Sequence, residues 1–318
     1  MRLASFRCGR GDHIGAFIDA NVLLDLTVAV ELARKAGLVD PYVPAFDSML
    51  DLIAAGPDYL DICRRLVGDS GKALAPARLA VSDVELLAPI PRPTKNVFCV
   101  GSNYRAHVTE ASRAQAKKDE TPKLPVFFTK PPTAVVGPAG EVRHDPSVSD
   151  KMDYEVELGV VIGKPGRNIK IADALDHIFG FTIINDVTAR DLQRAHGGQF
   201  LKGKGLDTTC PMGPCIVTFD ELPNFEDLRI SLSVNGELRQ DGNTGNMIFP
   251  IPRLLESLSE GLTLEPGDVL ATGTPSGVGY AMDPPVFLKD GDEVTCEIEG
   301  IGQLTNTVRS AEAEAAAA

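Results

Sequence analysis

No stretch of this chain approaches the ~18 consecutive apolar residues that a membrane-spanning helix needs, so a helical span is excluded. Positive charge is in deficit: 31 Lys and Arg stand against 44 Asp and Glu, a net of −13. Neither nucleic acid nor an anionic membrane is drawn to such a surface. An acidic exterior can still surround a locally positive pocket for a small anion. Cysteine is sparse and scattered: Cys8, Cys63, Cys99, Cys210, Cys215 and Cys296 form no CxxC pair and no zinc spacing. Reduced thiols are expected, not a disulfide framework. The opening "MRLASFRCGRGDHIGAFID" lacks the long apolar segment of a secretory leader, which sets the expectation of a cytoplasmic protein. There is no internal repeat. The final "AEAEAAAA" is low in complexity, and residues 311–318 are expected to be a disordered tail.

What is present is an ordinary globular composition, 43% apolar and 24% charged, over 318 residues. That length exceeds the usual single domain. Residues 1–90 are expected to form a small N-terminal α+β domain. It opens with the strand-like "RLASFRC" and "HIGAFID". "AFDSMLDLIAAG" follows as a helix, with Asp47 or Ser48 as its N-cap and Gly56 as its stop. Pro57 suits the first turn of the next helix, "PDYLDICRRLVG". The prolines of "LAPIPRPTKN" mark a linker. The larger domain, 95–310, carries many short strand candidates: "NVFCVG", "PVFFTK", "YEVELGVVIG", "GFTIIND", "PCIVTF", "RISLSVNG", "DVLATG" and "DEVTCEIEG". Helical patches lie near 103–118, 172–178, 188–195 and 250–260. Many strands with few long helices indicate a β-rich α+β fold, not a doubly wound sheet.

The stretch "DYEVELGVVIG" poses a chemical question. Strand alternation puts Glu155 and Glu157 on one face with Asp153, while Tyr154, Val156 and Leu158 face the core. Like charges on one strand face repel. The bland explanation is the solvated side of an antiparallel sheet. Asp186, which ends "FGFTIIND" ahead of the helix start "VTARDLQ", adds a third acid. Three carboxylates are the hard oxygen donors that Mg²⁺ or Mn²⁺ prefers. In "VGSNYRAHVTEASRAQ", His107 and Glu110 are three apart on one helix face. Such a pair makes a general base, or merely an exposed ion pair. "FLKGKGLDTTCPMGP" carries Lys202 and Lys204 in a Gly-interrupted stretch that suits an anionic ligand or a developing enolate. An exposed loop would also carry lysines. "ATGTPSGVG" offers Thr272, Thr274 and Ser276 hydroxyls, and Gly273, Gly277 and Gly279 let backbone amides approach a small carboxylate. A plain turn is the alternative.

The order "YEVELGVVIG", "NDVTARDLQ", "KGLDTTCPMGP", "TGTPSGVG" resembles the fumarylacetoacetate hydrolase superfamily over roughly residues 95–308. The resemblance implies that Glu155, Glu157 and Asp186 are ligands of Mg²⁺ or Mn²⁺. It makes "NYRAHVTE" a lid helix whose His107–Glu110 dyad is catalytic, with Lys204 beside it. Arg190 and Gln193 become substrate-facing positions, and Thr274 the carboxylate-binding threonine. It implies a mixed β-roll-like barrel and a homodimer. Lys202 and Gly205 depart from the residues frequent in relatives, which leaves substrate identity open. The implied substrate is a small anionic 2-oxo or diketo acid. The implied reaction is hydrolysis of a C–C bond in an acylpyruvate or fumarylpyruvate, as in aromatic compound catabolism. Sibling chemistries are oxaloacetate decarboxylation, isomerisation or hydration of dienoic 2-oxo acids, and hydrolysis of 2,4-diketo-3-deoxy sugar acids. A catalytically silent metal-binding protein is the non-enzyme alternative.

Overall fold

In the computed structural model, which describes residues 1–116, 118 and 120–310, "VELGVVI" forms the strand Val156–Ile162, and every residue of it is buried. A strand buried on both faces needs a layer on each side. Val156, Leu158, Val160 and Ile162 pack with Ile230 and Leu232 of strand Arg229–Val234 and with Cys296 and Ile298 of strand Glu293–Ile298. Val161, on the opposite face, joins a second core with Ile184, Ile216 and the helix residues Leu26, Val30, Leu52 and Leu60. The expectation that Tyr154, Val156 and Leu158 face the core holds. The solvated face does not exist.

The large sheet runs in the order Arg78–Ala80, Val22–Asp25, Gly11–Phe17, Arg2–Cys8, Cys210–Thr218, Ile178–Asn185, Val156–Ile162, Val269–Ala271, Val97–Gly101, Val126–Lys130. Val156–Ile162 sits between an antiparallel neighbour on each side, registered Leu158↔Ile183 and Gly159↔Ala271. A five-stranded sheet, with Arg229–Val234 and Glu293–Ile298 near its middle, covers one face. The fold is therefore the expected sheet-rich α+β arrangement. The barrel is not closed, because the large sheet ends on Arg78–Ala80 at one side and Val126–Lys130 at the other.

Residues 1–90 extend this sheet: Arg2↔Val217 and Leu3↔Ile216 pair the first strand with Cys210–Thr218. Ser48, not Asp47, caps helix Met49–Ala54, its hydroxyl accepting from the Asp51 amide at 3.2 Å. Pro57 opens the helix Pro57–Gly68. A further helix, Leu26–Lys35, had no counterpart among the expected elements. Asp25 caps it through the Val28 amide at 3.1 Å, and Leu26, Ala29, Val30 and Ala33 bury one face at helical spacing. The helical patches near 103–118, 188–195 and 250–260 appear as Arg105–Ala114, Arg190–Ala195 and Ile251–Ser259. That near 172–178 is a 3₁₀ segment, Ile171–His177. The tail 311–318 lies outside the described residues. Among those described, no helix is long and apolar enough to cross a membrane.

Candidate active site

Glu155 and Glu157 project from the start of the buried central strand, and Asp186 directly follows its neighbour Ile178–Asn185. The two segments are tied by the Asp186 amide donating to the Glu155 carbonyl at 2.8 Å and the Glu155 amide donating to Asn185 Oδ1 at 3.0 Å. One oxygen from each of the three acids lies within 4.8 Å of the others, and all three residues are buried. Three acids in a dry site need cations. Lys204 Nζ bridges Glu155 Oε2 at 2.8 Å and Asp186 Oδ2 at 2.6 Å. Arg190 Nη2 stands 2.6 Å from Glu155 Oε1, although without hydrogen-bond alignment. Lys130, wholly buried, donates to Asp186 Oδ1 at 2.7 Å and to the Val187 carbonyl at 3.0 Å.

This neutralisation is uneven. Burial pushes the Glu155 carboxyl up, but Lys204 and then Arg190 outweigh it and bring it down to about 2. Glu157 is held well above the usual carboxylate range by burial, and then by Asp186 and Glu155 beside it. Its Oε2 accepts one backbone amide, from Gly273 at 2.8 Å. All three cations stand against Glu155 or Asp186 and none pairs with Glu157 among the described residues, and hard oxygen donors close together are what Mg²⁺ or Mn²⁺ takes. Glu155, Glu157 and Asp186 could hold such an ion.

The glycine loop after strand Val269–Ala271 behaves differently from the expectation. The amides of its three glycines are taken by acidic side chains of the protein and are not free for a substrate carboxylate. Gly273 donates to Glu157, Gly277 to Glu110 Oε2 at 2.9 Å, and Gly279 to Asp153 Oδ1 at 2.8 Å. Gly273 and Gly277 both adopt left-handed φ, +99° and +104°. A Cβ at Gly277 would lie 2.0 Å from the Arg239 carbonyl oxygen, so no other residue fits. Thr272 is taken up by the Leu158 carbonyl, whereas Thr274 faces the cavity with Gln240 donating to its Oγ1 at 2.8 Å.

His107 Nδ1 and Glu110 Oε1 are 2.9 Å apart on helix Arg105–Ala114. With Glu110 accepting from Nδ1, Nε2 is the ring nitrogen left for proton transfer. The helix starts after a turn in which Ser102 takes φ +57° and Asn103 is pinned to the Thr272 and Phe249 carbonyls at 2.8 and 3.2 Å. His107, Glu155, Glu157, Arg190, Gln193, Lys204 and Thr274 all line one cavity of about 760 Å³. The expected residues therefore converge, with Glu110 and Asp186 set just behind them. Lys202 does not join them: it is exposed on the short helix Leu201–Lys204. Gly205 is fixed by packing, since a Cβ there would meet the Leu201 carbonyl oxygen and Pro131 at 2.8 Å.

The fumarylacetoacetate (FAA) hydrolase C-terminal family profile matches residues 96–309. The chain belongs to this family. The chain is 44% identical over 311 residues to the oxaloacetate tautomerase YisK of Bacillus subtilis, covering 97% of this chain and 100% of that one. It is 42% identical over 319 residues to the human mitochondrial oxaloacetate tautomerase FAHD2A, covering 97% and 91%. Among solved structures, the fumarylacetoacetate hydrolase of the psychrophilic Exiguobacterium antarcticum superposes with a TM-score of 0.78 at 40% identity, covering 98% and 99%. For this family member, two participants escaped the sequence reading. Asp153 accepts from Arg190 Nε at 2.8 Å and from the Gly279 and Tyr280 amides at 2.8 and 3.1 Å, and so orients the guanidinium. Lys130 does the same for Asp186. Asp153 shares a strand face with the glutamates, a signal that was available. Lys130 has none, because it comes from the edge strand Val126–Lys130.

Proposed function

We propose that this chain is an enzyme that interconverts the enol and keto forms of a small 2-oxo dicarboxylic acid, oxaloacetate or a close analogue. The observation that carries this reading is a base and a set of cations around one cavity, in a chain alike over nearly its whole length to two oxaloacetate tautomerases. Tautomerisation needs a proton moved between C3 and the C2 oxygen, and nothing else. His107 Nε2 takes the proton from C3 and, as the imidazolium, delivers it to the C2 oxygen (the reverse for ketonisation), with Glu110 fixing the ring tautomer and stabilising the imidazolium. Lys204 faces the C2 oxygen as negative charge grows there. Arg190 and Thr274 hold the proximal carboxylate. Mg²⁺ or Mn²⁺ held by Glu155, Glu157 and Asp186 would supply Lewis-acid polarisation of the 2-oxo group.

C–C bond hydrolysis, the reaction implied first by the motifs, remains a second reading. It is favoured by the same dyad, which can activate water, and by the hydrolase fold neighbour. Decarboxylation would need the base least. The assay is the decay of enol oxaloacetate absorbance with Mn²⁺, beside acylpyruvate cleavage under the same conditions. Wild-type protein should accelerate the first, and His107→Ala should lose ~10²–10⁴-fold while keeping its metal affinity. Acylpyruvate cleavage without any tautomerase activity would put hydrolysis first. The family resemblance also implies a homodimer, for which light scattering should give about twice the 33.9 kDa chain mass.

A further inference from the structure

The cations of the cavity divide into two kinds. Arg190 stands against Asp153 and Glu155, and Lys204 against Glu155 and Asp186. Arg194 lines the same cavity and, among the described residues, has no carboxylate within ion-pair distance. It is held instead over the ring of Tyr280, 5.1 Å from the centroid, with the guanidinium of Arg190 over that ring at 4.3 Å. Tyr280 in turn faces Gln115, from the residue that ends helix Arg105–Ala114. A cation stacked on an aromatic face is positioned without being neutralised. Its hydrogen-bond donors stay available for an anion.

The spacing fits an anion with two charged ends. Arg190 and Arg194 are one helical turn apart on Arg190–Ala195, and the turn rises ~5.4 Å. One end of the pair stands at the carboxylate cluster, where the 2-oxo acid group docks. The other end is exposed on the wall of the same cavity, whereas Arg190 is buried, and both guanidiniums lie within 5.1 Å of the Tyr280 ring centroid. We infer that Arg194 is the specificity-determining residue that binds the distal carboxylate of the substrate, and that it makes this site selective for 2-oxo dicarboxylates over 2-oxo monocarboxylates. This rests on the tautomerase reading for the proximal half of the site. The competing account is structural: an arginine in the last turn of a helix interacts favourably with the carbonyls there.

The test separates these. Malate and lactate are unreactive 2-hydroxy acids that differ in the distal carboxylate. Their affinities for the Mn²⁺-loaded full chain are measured by calorimetry in wild type, Arg194→Met and Arg194→Lys. Arg194→Met should weaken malate on the order of 10- to 100-fold and leave lactate within twofold. Arg194→Lys should recover part of the loss. In turnover, the loss for oxaloacetate should fall mainly on KM. A selective loss of malate in a protein with no tautomerase activity would sink the proposed reaction and leave Arg194 as the distal reader. Equal weakening of both ligands, or a lowered melting temperature with an unchanged malate-to-lactate ratio, would overturn the assignment.

Discussion

Glu155 and Glu157 flank Val156 at the start of the central strand, and replacing one or the other with glutamine should have opposite effects on the metal-free fold. Glu155 is held at about 2 against an ordinary 4.5, so it prefers the folded state as an anion. That difference corresponds to roughly 3 kcal/mol at neutral pH. A depressed carboxyl contributes stability that is present above its unfolded value and lost as pH falls through the folded one. Glu155→Gln should therefore lower metal-free stability by about that amount at pH 7, and the deficit should vanish as pH falls from 4.5 towards 2. Glu157 is raised, so ionising it at pH 7 opposes folding. Glu157→Gln keeps an oxygen for the Gly273 amide and removes that opposition, so metal-free stability should hold or rise. Denaturant midpoints in EDTA, at constant m, read both effects. Adding Mn²⁺ should stabilise the wild type by mass action and neither variant to the same extent. Equal destabilisation by both substitutions in EDTA, or a larger loss at Glu157, would refute this account of the cluster.

Other outcomes follow from packing. Five of the six cysteines are buried, and burial pushes the Cys63 and Cys210 thiols up to about 12. A chromogenic thiol reagent should titrate on the order of one thiol, Cys8, in the native protein, and all six after denaturation without reductant. Finding four or more blocked would mean disulfides. Asp25 caps Leu26–Lys35 and also contacts His13 Nδ1 at 2.8 Å, so Asp25→Ala should cost about 1–2 kcal/mol. Its denaturation midpoint should drop with kcat unchanged; a change in kcat would tie the N-terminal strands to catalysis.

The trio Glu155, Glu157 and Asp186 was legible because strand alternation places residues on faces, and because the motifs occur in a recognisable order. What the faces meet was not legible. The polar face of "DYEVELG" looks solvated until the pairing Leu3↔Ile216 joins the N-terminal strands to the sheet and so carries their helices over that side of it. Such pairing joins residues far apart in sequence, and no local pattern encodes it. Lys130 is hidden for the same reason: nothing in "PVFFTK" distinguishes a buried lysine from an exposed one. Helix Leu26–Lys35 differs, since its cap and its apolar spacing are local and sufficient. The loop "ATGTPSGVG" was legible as glycine-dependent but not as to its partners, Glu157, Glu110 and Asp153, which come from three other elements.

That loop acts as a ruler. Gly273 grips the Glu157 carboxylate and Gly277 grips Glu110, the acid paired with His107, so the separation between that pair and the acidic cluster is set by the backbone between the two glycines. One residue inserted between them could shift His107 by up to ~3.5 Å against the cluster. Substrate range can drift at Arg194 or Gln193 without disturbing this distance. In an engineered variant the loop length is the quantity to leave alone, while the outward turn of helix Arg190–Ala195 is the place to cut.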